Sequence, residues 1–285
     1  MKFIFSTGSL YPYGTERCFD LAAQAGFDGI ELMVDYRWDT RQPAYLKTLM
    51  ERSKLPILAV HNPFAVVATW PKLKPGLIQK SVELASAVGS PVVVHHLPMR
   101  MGRVQLEVAG KKHVLSLPAM HNEHGYRKWL ENDYDDIQQK SQKQSGVTLC
   151  IENMPARKIC GRRFNAHHWN TVDTITRFPT LTMDTTHLGT WGIEAADVYP
   201  HWGERIKHVH LSNYDGNEHR LPQCGELDLK RLIAQMAANG YEGSISIELH
   251  PDALSAGGPD ARVLKRMRTL LDHCRAWEKG EDVIV

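Results

Sequence analysis

The sequence predicts an α/β protein, a single (β/α)8 TIM barrel that spans residues 1–285. Short apolar runs rich in β-branched residues alternate with longer amphipathic runs, which is typical of parallel strands joined by crossover helices. Eight such units in 285 residues suit one closed barrel better than an open sheet. In addition, no Gly-x-Gly-x-x-Gly follows the first strand, as a dinucleotide-binding sheet would need.

The chain offers eight strands and at least six helices for this barrel. The predicted strands are Lys2–Ser6, Gly29–Met33, Pro56–His61, Pro91–His95, Val147–Asn153, Leu181–Asp184, Ile206–Asn213 and Ser244–His250. The predicted helices are Glu16–Ala25, Tyr45–Arg52, Gly76–Val88, Tyr126–Gln144, Leu229–Ala238 and Ala261–Trp277. The interval from Pro98 to Gly125 is too long for an ordinary connection, so we expect an extended loop after strand 4 that covers an active site.

Composition narrows the function classes. A formal charge of +2 provides no bulk field that would draw the protein onto nucleic acid or a membrane, so we expect neither as a partner. The five cysteines show no CxxC pair, which favours reduced thiols and a cytoplasmic location. The apolar start of the chain is too short for a signal peptide, and no apolar stretch is long enough to span a bilayer. Barrels of this kind often pair, which makes a homo-oligomer an expected form.

Strand parity predicts where the polar strand ends point. Side chains alternate along a strand, and in six predicted strands one face is aliphatic while the other is mostly small or polar. The second face ends in an ionisable residue at the carboxyl end of each strand, and these are His61, His95, Glu152, Asp184, His210 and Glu248. Other histidines, including His167, have no such position, so we expect them in surface loops.

Four of these residues predict a metal site. The carboxyl ends of barrel strands converge, so Glu152, Asp184, His210 and Glu248 would meet there. Three adjacent carboxylates need protons or a cation, and one divalent ion is the simplest neutraliser. Nitrogen and oxygen ligands suit Mn²⁺, Mg²⁺, Co²⁺ or Zn²⁺, and no organic cofactor is expected. The alternative is that each residue acts locally, as a helix cap or a hydrogen-bonded core histidine, but six coincident strand ends favour a shared site.

Several motifs resemble the xylose isomerase-like TIM-barrel superfamily, which includes sugar phosphate isomerases and epimerases, inosose dehydratases and the bacterial apurinic endonucleases. They are His61-Asn-Pro, Ile-Glu152-Asn-Met-Pro, Met-Asp184-Thr-Thr-His187, His208-Val-His210-Leu-Ser-Asn and Ile-Glu248-Leu-His-Pro. The stretch from Asn213 to Pro222, which contains His219 and Arg220, is similar to the sugar isomerase/epimerase branch. The resemblance covers nearly the whole chain.

The resemblance implies roles for individual residues. Glu152, Asp184, His210 and Glu248 match the single-metal site of ketose epimerases, in which the two glutamates also move the proton. His187 matches a position that contacts substrate in the epimerases or holds a third metal in the endonucleases. His61 and His95 match histidines that hold a second metal in the endonucleases. The endonuclease pattern wants Asp-x-His after the seventh strand, whereas this chain has Asn217-Glu-His219.

These observations predict a metal-dependent isomerase or epimerase of a small sugar, sugar phosphate or related polyhydroxy carbonyl compound, which acts by proton transfer through an enediolate. Glu152 and Glu248 would be catalytic. The substrate would contact His61, His95, His187, His219, Arg220 and Arg157, and arginines on this rim suit an anionic group. The alternatives are a zinc phosphodiesterase of the apurinic endonuclease type and an inosose dehydratase-like lyase.

Overall fold

The computed structural model describes residues 1–108, 111–118, 121–159 and 161–282, with the backbone alone for 102–108, 111–118, 121–122 and 159. Within these residues eight parallel strands close into a barrel. The barrel strands are β1 (Lys2–Ser6), β2 (Gly29–Met33), β3 (Ile57–His61), β4 (Val92–His96), β7 (Thr148–Glu152), β10 (Leu181–Asp184), β11 (Ile206–Leu211) and β12 (Ser244–Ile247). Their order around the barrel is β1-β12-β11-β10-β7-β4-β3-β2. The predicted (β/α)8 barrel is therefore confirmed.

Helices join the strands and cover the barrel. They are α1 (Thr15–Ala25), α2 (Pro43–Ser53), α3 (Lys74–Val88), α4 (His121–Asn132), α5 (Tyr134–Ser145), α6 (Thr185–Trp191), α7 (Ala195–Trp202), α8 (Leu229–Ala238) and α9 (Asp260–Glu278). One helix was predicted over Tyr126–Gln144, and the structure has two in its place, because the chain leaves α4 at Asp133 with φ −119°. None of the described helices is long and apolar enough to cross a membrane.

The extended segment that was predicted after β4 contains an antiparallel hairpin. Its strands are β5 (Met101–Val108) and β6 (Lys111–Pro118), which pair from Met101 opposite Pro118 to Val108 opposite Lys111. A second, shorter hairpin, β8 (Arg157–Ile159) with β9 (Arg162–Phe164), follows β7. Met99 and His167 form an isolated bridge between the segments that follow β4 and β7, so these two segments lie side by side.

The strands separate two apolar layers, and these layers show how β4 is turned. Ile4, Ala59, Val92, Val94 and Cys150 form a small cluster inside the barrel, whereas Val93 packs with the core beneath the helices. Residues 92, 94 and 96 of β4 therefore point inward. The predicted inward direction of His95 is wrong, since the strand is placed one residue later than predicted and His96 occupies its inner carboxyl end.

Candidate metal centre and its cavity

Four predicted ligands meet at the carboxyl end of the barrel. β7, β10, β11 and the end of β12 carry Glu152, Asp184, His210 and Glu248, and one ligand atom from each lies within 4.8 Å of the others. All four side chains are buried or nearly so. The structure thus brings together the set that strand parity predicted, and Glu152 and Glu248 are near enough to share one ion.

His210 lies at the centre of this group. Its Nδ1 is 3.0 Å from Glu152 Oε1, 2.9 Å from Glu248 Oε2 and 3.7 Å from Asp184 Oδ2. One ring N–H cannot donate to three carboxylates at once. Burial alone would lower the pKa of His210, but the carboxylates of Glu31, Glu248 and Glu152 outweigh it and raise the pKa well above its ordinary value. A positive charge is therefore required where Nδ1 meets the carboxylates.

The surroundings of Asp184 show that the described protein groups supply only part of this positive charge. Its Oδ1 accepts a hydrogen bond from the His187 backbone N–H at 2.8 Å and so caps α6. Its Oδ2 is buried without a hydrogen-bond partner among the described residues. A buried, unpartnered carboxylate oxygen is costly unless a cation is bound to it. Three carboxylates and one imidazole therefore fit a divalent cation, which would be held by Glu152, Asp184, His210 and Glu248.

Glu31 supports the centre from below and was missed in the sequence. This fully buried carboxylate on β2 has its Oε2 2.6 Å from His208 Nε2 and 3.0 Å from His210 Nε2. Nδ1 of His208 is in turn 2.7 Å from the Ser244 hydroxyl. A carboxylate that accepts a hydrogen bond from one nitrogen of a histidine orients the other nitrogen toward a metal ion. The sequence signal that could have identified Glu31 is that it is the single charged residue in the apolar run Gly29–Met33.

Glu152 also faces a second group. Its Oε2 is 3.0 Å from His96 Nε2 and 3.4 Å from His61 Nε2, and the three residues form another possible ligand set. His61 Nδ1 donates to the Asn62 carbonyl at 2.8 Å. Burial alone would lower the pKa of His61, but Glu152 outweighs it and raises the pKa, so a protonated Nε2 donates to Glu152 Oε2. Burial lowers the pKa of His96 to about 4. These three residues would be the ones to hold a second cation beside the first.

His95 lies behind the barrel wall and does not line the cavity, contrary to the prediction that it binds substrate. Its Nδ1 is 2.9 Å from the Tyr126 hydroxyl and its Nε2 is 3.3 Å from the Tyr134 hydroxyl, both on helices. Burial lowers the pKa of His95 to about 3, so the ring is neutral. The residue is a hydrogen-bonded core histidine, and its neighbour His96 takes the predicted place.

His187 and His219 complete the rim above Asp184. The three residues form a further possible ligand set, and the two imidazole rings are 5.7 Å apart. His187 Nδ1 donates to the Asn153 carbonyl at 2.7 Å, which leaves Nε2 for a ligand. His219 has φ +60°, and its Nδ1 is 3.2 Å from the Glu248 carbonyl. Both rings are held by backbone contacts and face the same space.

A cavity of about 340 Å³ opens over this centre. Among the residues expected to bind substrate, His61, His187, His219 and Arg157 line it, together with Glu152 and Glu248. Arg220 lies instead in a neighbouring cavity of about 580 Å³, which shares Arg157 and His219 with the first. Asp215 accepts a hydrogen bond from Arg220 Nε at 3.2 Å. Cavities of this size bind small molecules.

A family model described as a xylose isomerase-like TIM barrel matches residues 19–274 of the chain. The chain belongs to this family. The sequence resemblance is thereby confirmed, and the closed eight-stranded barrel agrees with it.

Curated relatives of this xylose isomerase-like barrel come from mycobacteria. An uncharacterized protein of Mycobacterium leprae is 25% identical over 264 residues, which cover 87% of this chain and 89% of the relative. An uncharacterized protein of Mycobacterium tuberculosis is 26% identical over 263 residues, with the same coverage.

Solved structures share the fold of this xylose isomerase-like barrel. A D-tagatose 3-epimerase-like protein superposes with a TM-score of 0.64 at 18% identity, covering 98% of this chain and 99% of the other. A 3-keto-D-glucoside 4-epimerase from E. coli has a TM-score of 0.67 at 16% identity and covers 95% and 99%. An L-ribulose 3-epimerase has a TM-score of 0.67 at 16% identity and covers 98% and 96%. At these identities the likeness establishes the fold alone.

Proposed function

We propose that the protein is a divalent-metal-dependent isomerase or epimerase of a small polyhydroxy carbonyl compound. One observation carries the proposal. The carboxylates of Glu152 and Glu248 both approach His210 Nδ1, at 3.0 and 2.9 Å, beside the unpartnered Oδ2 of Asp184 and at the floor of a cavity of small-molecule size. The epimerase names of the structural neighbours support the same reaction class.

Glu152, Asp184, His210 and Glu248 would hold one divalent ion, of Mn²⁺, Mg²⁺, Co²⁺ or Zn²⁺. Bound there, the ion would supply Lewis-acid stabilisation of the negative charge that develops on the carbonyl oxygen of a substrate. Glu31 and His208 hold His210 in position beneath it.

The two glutamates are placed to move a proton. Two strands, β10 and β11, separate β7 from β12 in the barrel, so Glu152 and Glu248 approach the centre from different sides. Burial alone would raise their pKa values, but His210 outweighs it and lowers both. Both carboxylates are therefore ionised at neutral pH, and one can accept the proton next to a carbonyl while the other returns it.

The walls of the cavity would orient the substrate. His61, His187 and His219 present imidazole nitrogens around the two glutamates, where they would contact substrate oxygens. Arg157 lies on the same wall, and Arg220 lies in the adjoining cavity. A cavity of about 340 Å³ suits one monosaccharide-sized molecule better than an oligosaccharide or a nucleic acid.

Solvent deuterium exchange tests the proposal. Metal-loaded protein would be incubated in D2O with a panel of neutral ketoses, ketose phosphates and sugar acids, and deuterium at the carbon next to the carbonyl would be followed by NMR. We expect exchange with at least one class, and Glu152→Gln and Glu248→Gln to slow it about 100-fold or more. Glu242→Gln, an exposed control before β12, should retain the rate. No exchange with any class at saturating metal would overturn the proposal.

A metal-dependent phosphodiesterase is the second candidate. The groups His61, His96 and Glu152 and Asp184, His187 and His219 flank the four-residue centre and could hold further ions. Metal analysis separates the two candidates: one tightly bound ion per chain supports the isomerase, while three would support the phosphodiesterase. An inosose dehydratase-like lyase would be recognised by loss of water from the substrate.

A further inference from the structure

One end of the cavity is lined by Lys74, Glu123 and His167, and the lysine forms no ion pair with a carboxylate among the described residues. Lys74, the first residue of α3, is half-buried and lines the cavity together with Glu152 and Glu248. No carboxylate of the described residues lies within 4 Å of its ammonium group. Burial lowers the pKa of Lys74, and Glu123 is the neighbouring charge that opposes this effect. The lysine is thus desolvated without a direct counterion.

His167 lines the same cavity, and one of its ring nitrogens has no partner. The side chain is 2% exposed, and its Nδ1 has no hydrogen-bond partner among the described residues. It was expected in a surface loop, but the bridge between its backbone and that of Met99 draws it beneath the segment that follows β4. Burial lowers the pKa of His167 to about 3, so the imidazole is neutral. A buried ring nitrogen without a partner marks a place where a ligand can supply one.

Glu123 is the other charged group that lies beside Lys74 at this end of the cavity. The Oε2 of Glu123 accepts a hydrogen bond from the Met99 backbone N–H at 2.8 Å, so half of this carboxylate is engaged by the protein. Arg157 lines the same cavity. Among the described residues, this end of the cavity therefore carries one lysine ammonium group, one partly engaged carboxylate and one unpartnered imidazole nitrogen.

We propose that Lys74 and His167 bind an anionic terminal group, phosphate or carboxylate, of a monosaccharide-sized substrate whose carbonyl end lies between Glu152 and Glu248. This inference rests on the proposed function for the position of the carbonyl. Charge-assisted hydrogen bonds from a desolvated lysine are strong, and a buried neutral imidazole adds one more hydrogen bond. The proposed substrate class is thereby narrowed from small polyhydroxy carbonyl compounds in general to sugar phosphates or sugar acids.

Binding of matched ligands tests the inference. Calorimetry on metal-loaded protein would compare D-ribulose with D-ribulose 5-phosphate, D-fructose with D-fructose 6-phosphate, and a hexuronate. We expect one anionic class to bind at least about tenfold more tightly than its neutral counterpart. The phosphate and carboxylate arms identify which anion the site takes. Equal affinity for anionic and neutral ligands would overturn the inference.

Charge variants test the site itself. Lys74→Gln should abolish the preference for the anion, whereas Lys72→Gln, an exposed lysine two residues earlier, should preserve it. Glu123→Gln should act in the opposite direction and tighten binding of the anion, since it removes the neighbouring negative charge. Thermal melting of each variant checks that it is folded. If Lys74→Gln and Lys72→Gln bind the anionic ligand equally well, the inference is wrong.

These outcomes are independent of turnover. Binding of an anion that depends on Lys74, without deuterium exchange in any ligand, would support the anion site and contradict the proposed function. Exchange that is as fast on neutral ketoses as on their phosphates, with the rate on the phosphates unaffected by Lys74→Gln, would support the proposed function and contradict the anion site.

Discussion

Glu31 illustrates how one buried carboxylate can orient a ligand of the candidate metal centre. It lies 3.0 Å from His210 Nε2 and 2.6 Å from His208 Nε2, and thereby fixes which nitrogen of His210 faces the three rim carboxylates. Glu31→Gln should weaken Mn²⁺ binding by about 10- to 100-fold, since an amide oxygen is a poorer acceptor than a carboxylate. Titration calorimetry measures the affinity, with Glu242→Gln as the control. An unchanged affinity in folded Glu31→Gln would show that His210 needs no such support.

His210 should make metal binding depend on pH. Its pKa in the metal-free protein is raised well above the ordinary value, so at neutral pH the ring is protonated, and this proton must leave before Nδ1 can bind a cation. The apparent affinity should therefore rise about tenfold per pH unit until the pH passes the raised pKa, and should fall in acid. Calorimetry in buffers of different ionisation enthalpy should detect release of about one proton. Binding without proton release would contradict this assignment.

At the scale of single elements, the direction of each side chain, into or out of the barrel, was predictable where apolar and polar residues alternate along a strand. The prediction failed where they do not alternate. On β7, β11 and β12 the alternation places Glu152, His210 and Glu248 inward, as predicted. β4 reads Val-Val-Val-His-His, which has no alternation, so either histidine could face the barrel. Val92 and Val94 pack with Ala59 inside the barrel, so His96, on the same face of β4, also points inward. This packing depends on neighbouring strands, which the sequence of β4 does not specify.

The orientation of β4 has a direct test. His95→Phe should leave deuterium exchange and metal binding unchanged while lowering the free energy of unfolding by about 1 to 3 kcal/mol, because contacts with two tyrosine hydroxyls are lost. His96→Phe should slow exchange about tenfold or more, since it removes the 3.0 Å contact with Glu152. Urea unfolding and exchange rates measure the two effects. The reverse pattern would show that His95 faces the cavity.

Other elements show what sequence patterns leave open. Glu31 could have been noticed as a lone charge in an apolar strand, but its partner His208 is 177 residues away, and only barrel closure brings them together. His167 carries no signal of burial, because its position comes from a bridge with Met99 between two loops. Contacts between loops depend on the tertiary structure, whereas strand ends follow from the period of the strand.

For the whole molecule, the metal should contribute to stability. An ion that binds the folded chain and not the unfolded one adds about 2.7 kcal/mol at a concentration 100 times its dissociation constant. For a barrel of this size that corresponds to a rise in Tm of about 4 to 5 °C. Differential scanning fluorimetry with Mn²⁺ and with EDTA measures it, and Asp184→Asn should reduce the shift. Identical melting of the wild-type protein in both conditions would contradict a high-affinity site.

The pairing of β1 with β12 closes the barrel, and this closure determines when the centre can form during synthesis. A ribosome produces Glu31 and His61 first and then Glu152, Asp184 and His210, while Glu248, which follows β12, comes last of these residues. A nascent chain therefore holds only part of the ligand set while most of its strands are already made. In a cell, the complete site becomes available to a metal ion only when the last strand has joined the first.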